Sequence, residues 1–303
     1  MVIVGAGFGG LEAAFRLAGA PVEITLIDRR NHHLFQPLLY QVATASLATS
    51  EIAWPIRYLL RDRHEVTTLF ANVSGVDAAD KRVLLDDGDA LPYDTLVLAT
   101  GARHAYFGHD EWEPFAPGLK TLEDATTLRR RILRRLRARR ARDRSGAARG
   151  AADLRHRRRR PDRRRNGRHH RRPGAATRCR RDFRNIDTRK ARVVLIEAGP
   201  RVLAGFPDDL SAYAQRSLEE HRRRGGAGTA GHRMHAPMAS SMAASGWTPR
   251  TIIWAAGVRA SRAAEWLDAP ADRADRLQVE PDLTVPGHPD IFADRRYRDD
   301  RRP

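Results

Sequence analysis

Gly5-Ala6-Gly7-Phe8-Gly9-Gly10 follows the apolar run Met1-Val2-Ile3-Val4 and precedes a helical pattern over Leu11–Leu17. Gly5 permits a tight turn off a buried strand, Gly7 lets backbone N–H groups approach a diphosphate, and Gly10 lets the following helix pack closely on the sheet. The phosphates then lie at a helix N-terminus, where unpaired donors and the dipole favour negative charge. A second apolar run, Val22–Ile27, ends in Asp28, where a carboxylate takes the ribose hydroxyls of an adenine dinucleotide. The plainer alternative is a glycine-rich turn in an ordinary α/β fold.

A chain of 303 residues is long enough for two domains and a sizeable core. Its formal charge of +18 is local: Arg129–Arg184 holds 26 arginines against four aspartates, a net of +22, which leaves −4 for everything else. Cys179 is the only cysteine, which excludes an intrachain disulfide, a cysteine-rich metal site and a dithiol redox pair. No apolar run approaches the length that spans a bilayer, and the N-terminus reads as a strand rather than a signal peptide, so a cytoplasmic location is expected. A buried strand starting at residue 1 suggests that a few upstream residues are missing.

Beyond Asp28 the sequence reads as a loop (29–33), then the segment Leu34–Ala43 and a helical stretch to about Arg63, then strands at Val66–Val73, Lys81–Leu85 and Ala90–Tyr93. Tyr93–Gly101 is an apolar strand ending in Thr100-Gly101, of the kind buried on both faces in a parallel sheet. A helix is expected over Leu119–Leu136, with acids early and arginines late, followed by loss of order up to a strand at Ala191–Glu197. A helix at Asp208–Arg222 and a further apolar strand at Thr251–Gly257 follow, whereas Arg223–Ser245 shows no strand periodicity.

These segments together resemble the type II, non-proton-pumping NADH dehydrogenases. The resemblance rests on the glycine loop, on Asn31–Ala43 (NHHLFQPLLYQVA), on Ala99–His109, on Val194–Leu203 and on Trp254–Val258. It covers roughly residues 1–130, 182–222 and 249–292. It implies an α/β fold of two dinucleotide-binding, Rossmann-like domains, the second inserted in the first. Residues 1–110 would begin the FAD-binding domain, 111–249 would form the NADH-binding domain, and 250–303 would return to the first. Gly5, Gly7, Gly10 and Asp28 would hold the adenosine diphosphate half of FAD, and Thr100 and Gly101 would line the domain's crossover. Glu197, Ala256 and Gly257 would face NADH, with the Glu197 carboxylate on the adenosine ribose repelling the extra phosphate of NADPH. The bland reading of Glu197 is a solvated strand end, and that of the His32/His33 and Gln36 loop is a packed, hydrogen-bonded connector with no acid–base role. The resemblance further implies hydride transfer from NADH to flavin, electron transfer to a membrane quinone, a peripheral place on the inner face of the cytoplasmic membrane, and a homodimer. It calls for no metal and no catalytic acid–base pair.

The arginine segment departs from this pattern. Arg155–Arg165 falls where the family carries its second glycine loop. A coding strand TTC GTC ATC GTC GGC GGC, for Phe-Val-Ile-Val-Gly-Gly, read one base early at the Val codon gives Arg-His-Arg-Arg-Arg, the sequence at 155–159. Codon by codon, the chain through Arg172 is compatible with VIVGGGPTGVEMAGTIA in the neighbouring frame, and Asp294–Arg298 with Ile-Gly-Asp-Thr-Ala in another. About residues 137–181, part of 223–248 and 294–303 are therefore read as frameshifted translation. As written, the first segment's self-repulsion predicts disorder, and NADH binding should be weak or absent. The family's membrane-docking and quinone-lining region would lie beyond Pro303. Three other readings stand beside this one: an inactive remnant of the enzyme, a flavin-dependent NADH oxidoreductase with another acceptor, and nucleic-acid binding through 129–184. The last is disfavoured because Phe183 is the only aromatic residue there for base stacking.

Overall fold

The computed structural model describes residues 1–17, 19–147, 192–197, 199–223, 228–233 and 251–293. The chain divides into two compact units, one of Met1–Val42, Leu47–Ala125 and the described part of Ile253–Pro303, the other of Ala43–Ser46 and Thr126–Ile252.

In chain order, β1 (Val2–Val4) passes through the glycine loop into α1 (Phe8–Arg16) and β2 (Ile24–Asp28). Next, β3 (His32–Leu34) pairs antiparallel with β4 (Ala53–Pro55), with α2 (Leu39–Ala43) between them, and α3 (Ile56–Leu59) leads into β5 (Val66–Phe70). β6 (Val73–Asp77), β7 (Arg82–Leu85) and β8 (Ala90–Pro92) form an antiparallel meander. β9 (Leu96–Leu98), β10 (Ala102–His104) and α4 (Leu122–Ala147) come next. The second unit contains β11 (Arg192–Glu197), α5 (Asp208–Arg223) and β12 (Gly228–Arg233). Finally β13 (Val258–Ala260), α6 (Ala263–Leu267), β14 (Thr284–Val285) and β15 (His288–Ala293) complete the first.

A six-stranded sheet, β14-β15-β9-β1-β2-β5, organises the first unit, and every pairing in it is parallel except β14 with β15. Alternation along the strands sends side chains to opposite faces. Ile3, Ile24 and Leu26 pack with Leu11 and Ala14 of α1 and with Ile56 and Leu60. Val2, Val4, Ile27, Leu96 and Leu98 pack on the other side with Val76, Val83 and Leu85 of the meander and with Ala263 and Leu267 of α6. Both faces are covered, which is why β1, β2 and β9 read as continuous apolar runs. Burying each such Ile or Leu contributes about 1.5–3 kcal/mol.

The second unit's β11 and β12 pair in parallel from Arg192↔Gly228 to Glu197↔Arg233, with α5 connecting them. Asp208 and Asp209 open α5, where the dipole favours acids, and Asp208 also pairs with Arg201. The buried Ser211 hydroxyl donates to the Val202 carbonyl at 2.6 Å and ties α5 to the loop before it.

Five sequence expectations are corrected. The stretch to Arg63 is not continuous helix but the β3–β4 hairpin with short helices. Val66–Val73 is not one strand, because the chain leaves the main sheet at Phe70 and starts the meander at Val73. Thr251–Gly257 forms no strand; only Trp254 is buried there, its backbone N–H donating to Pro117 O (2.9 Å) and its indole N–H to Ala105 O (2.8 Å). Helix α4 continues through Ala147, so order does not end at 136 and residues 137–147 are helical, as the good helix propensity of arginine allows. Gly228–Arg233, read without periodicity, is a strand, because pairing with β11 overrides propensity. The remainder of the expected frameshifts, at 148–181, most of 223–248 and 294–303, lies outside the described residues, as does the proposed nucleic-acid segment beyond α4.

Candidate dinucleotide-binding site

The C-terminal ends of β1, β2 and β9 lie side by side, and six of the expected site residues, Gly5, Gly7, Gly10, Asp28, Thr100 and Gly101, meet there. The glycine loop is held from below and from both sides. Gly5 N–H donates to Ile27 O at 2.7 Å. Ala6 N–H donates to Asp28 Oδ2 at 2.7 Å, and the Ala6 carbonyl accepts from His33 Nδ1 at 3.0 Å. The other Asp28 oxygen, Oδ1, accepts Arg30 N–H at 2.8 Å, so one carboxylate fixes both the loop and the turn after β2. The Phe8 and His33 rings meet in a T-shaped pair with centroids 5.1 Å apart. Burial, then the neighbouring Arg30, pushes the adjacent His32 below its ordinary pKa, which favours a neutral ring at neutral pH.

Three glycines have separate physical reasons. Gly5 has φ +102, and a Cβ there would strike the Ala99 carbonyl of β9's continuation. A Cβ at Gly10 would strike the Gly5 carbonyl, so only glycine lets α1 approach the loop so closely. At Gly7, the residue before α1, a Cβ would meet nothing within 4 Å. The space above Gly7 is open, and the first N–H groups of α1 have no partner within the helix. The first turn carries no acidic residue. This is the donor set an anionic diphosphate needs. Beyond Asp28 a cleft of about 420 Å³ opens between Arg30, Asn31, Pro55, Arg57 and Phe70.

Thr100 continues β9 past Ala99, whose N–H donates to Val4 O at 2.8 Å, and Gly101 follows at φ +71. Thr100 Oγ1 lies 2.5 Å from Ser261 Oγ. Of the three residues expected to face NADH, Glu197 belongs to the second unit, and Ala256 and Gly257 to the first. Glu197 is exposed at the end of β11, and its Oε1 accepts Gly199 N–H at 3.0 Å, the same strand-end bond to the amide two residues on that Asp28 makes at the end of β2. Ala256 is exposed; Gly257 accepts Ala105 N–H at 3.2 Å, and a Cβ there would lie 2.6 Å from Cζ of Phe107. Among the described residues no group of three or more His, Cys, Asp or Glu is placed to hold a metal ion.

Sequence reasoning missed Ala6 and Ser261 as parts of this site; it expected His33 in a packed, hydrogen-bonded connector, and the bond to the Ala6 carbonyl fits that reading. Ala6 contributes through its backbone, which leaves no side-chain signal. Ser261 precedes Arg262, the N-cap of the helix at Ala263–Leu267, and carries no sequence signal of its own.

Residues 1–142 match the family model described as pyridine nucleotide-disulphide oxidoreductase. The type II NADH:quinone oxidoreductases Ndh and NdhA of Mycobacterium tuberculosis are each 38% identical over 96% of this chain, which spans 65% and 64% of their lengths. The solved structure of NDH2 from Plasmodium falciparum in complex with NADH superposes with a TM-score of 0.69 at 17% identity, over 96% of this chain and 63% of that one. Residues 1–142 are thus similar to the pyridine nucleotide-disulphide oxidoreductases, and the chain along most of its length is similar to the type II NADH:quinone oxidoreductases, of which it spans just under two thirds.

Proposed function

We propose that this chain is the greater part of an FAD-dependent oxidoreductase that takes a hydride from NADH and passes electrons to a quinone. The observation that carries the reading is the preorganised glycine loop, Gly5–Gly10 clamped by Asp28 and His33, in a chain 38% identical along nearly its whole length to type II NADH:quinone oxidoreductases. The residues present fit the adenosine diphosphate half of FAD. The open space at Gly7 admits the diphosphate to the N-terminus of α1, whose dipole favours it. Asp28 keeps lone pairs for ribose hydroxyls after accepting two backbone N–H groups, and the cleft beside it takes the adenine. When bound, FAD supplies the ring that accepts hydride and releases electrons.

The protein's part is to bind and orient. Thr100 and Gly101 line the crossover beside the glycine loop. Glu197 takes the adenosine ribose of NADH and discriminates against NADPH, while Ala256 and Gly257 offer backbone free of bulky side chains. No side-chain acid or base is assigned, since hydride transfer between two rings requires neither. The full-length protein would act at the membrane surface, on its cytoplasmic face; among the described residues no helix is long and apolar enough to cross a membrane.

The test is NADH-dependent reduction of a soluble quinone analogue by the FAD-loaded chain, with oxygen and a ferredoxin as rival acceptors. Quinone reduction dependent on added FAD supports the reading, and turnover with only a rival acceptor contradicts its quinone half.

A further inference from the structure

Thr100 and Ser261 are 161 positions apart, yet their hydroxyl oxygens lie 2.5 Å apart, and Ser261 N–H donates to Gly101 O at 3.3 Å. Ser261 therefore stitches the junction between β13 and α6 to the end of β9, beside the glycine loop. A hydroxyl has one proton and two lone pairs. Ser261 Oγ also accepts Ala263 N–H, at 3.4 Å, in the first turn of α6. An O–H that already accepts a hydrogen bond is the stronger donor. Cooperativity therefore favours the arrangement in which Ser261 donates and Thr100 accepts. The Thr100 proton then has no acceptor among the described residues, and its oxygen is held in one place.

Resting on the flavin reading above, we infer that Ser261 is a positioning residue that fixes Thr100 Oγ1 as a hydrogen-bond donor to the diphosphate–ribityl linker of bound FAD. Ala99, the residue before Thr100, is packed against Gly5, which puts this donor next to the loop expected to hold the diphosphate. The motif residues alone do not reveal the pair, because Ser261 acts only through Thr100.

The experiment is FAD titration of the full chain, followed by flavin fluorescence, for the unsubstituted protein, Ser261→Ala, Thr100→Val, the double variant and Ser261→Thr. Each single loss is expected to weaken FAD binding about tenfold, near 1.4 kcal/mol. The double variant should lose no more than either single one, and Ser261→Thr, which keeps the hydroxyl, should bind as the unsubstituted chain does. Unaltered affinity in Ser261→Ala, or additive losses in the double variant, overturns the inference alone. Absence of FAD binding by the unsubstituted chain overturns the flavin reading and the inference together. If circular dichroism shows that Ser261→Ala does not fold, Thr100→Val against Thr100→Ser makes the same comparison, and equal FAD affinity of those two overturns the inference.

Discussion

The backbone N–H of Ala6 donates to the Asp28 carboxylate at 2.7 Å, joining the glycine loop to the end of the neighbouring strand across 22 residues. Asp28 thus shapes the loop as well as facing the proposed ribose. Asp28→Asn replaces one acceptor oxygen by an NH₂ group, so one of the amides of Ala6 and Arg30 faces a donor instead. The expected cost is about 1–3 kcal/mol of stability, read as a lower urea midpoint. An unchanged midpoint would show that the carboxylate does not hold the loop.

Gly7 and Gly10 separate binding from folding. Gly10→Ala drives a methyl group into the Gly5 carbonyl and must displace α1 or the loop, so the melting temperature should fall by several degrees. Gly7→Ala meets open space and should melt within a few degrees of the unsubstituted chain, while losing at least tenfold in FAD affinity through obstruction of the diphosphate. Equal effects of the two on stability would contradict the assigned roles.

Asp124 caps α4 in a reciprocal arrangement with Thr121. Asp124 N–H donates to Thr121 Oγ1 at 3.1 Å, and Asp124 Oδ2 accepts the N–H groups of Lys120 and Thr121, each at 2.9 Å. Burial raises its pKa, but the hydrogen bonds from His104, Lys120 and Thr121 outweigh that and hold it at about 2, below the ordinary 3.8. A depressed carboxylate stabilises the fold above the unfolded value, and that stabilisation drains away as pH falls from about 4 to 2. The amount is on the order of 2 kcal/mol. Asp124→Asn should flatten the stability profile in that window; an unaltered acid limb would remove Asp124 as its source.

Glu197→Gln removes the charge proposed to reject NADPH. In a chain with the expected second glycine loop restored at 155–172, the ratio of NADH to NADPH affinity, measured by isothermal titration, should fall about tenfold, an energy near 1.4 kcal/mol. A ratio that does not move would leave Glu197 as a solvated strand end.

The residues legible in advance were those whose chemistry is local. Val2–Val4, Ile24–Asp28 and Leu96–Leu98 announce themselves as apolar runs because parallel strands are covered on both faces, and Gly5 and Gly10 because their neighbours leave no room for a Cβ. The β3–β4 hairpin was illegible since three-residue strands carry too little alternation, and its pairing of His33 with Trp54 spans a helical segment. Thr251–Gly257 looked like a strand because its apolar residues mimic one, although its anchor is a single tryptophan stacked 5.2 Å from Tyr106. Gly228–Arg233 carries no pattern, and only its partner β11 makes it a strand. Ser261 lies just beyond the Trp254–Val258 stretch but belongs to no motif, and its role appears only when the chain returns to Thr100.

The most direct measurement is titration of the full chain with FAD, monitored by flavin fluorescence and repeated with ADP as competitor. The account predicts saturable one-to-one binding that ADP displaces, since the glycine loop, Asp28 and the N-terminus of α1 hold the half that the two ligands share. FAD that does not bind, or that ADP cannot displace, would contradict the claim that this end of the sheet is a dinucleotide site.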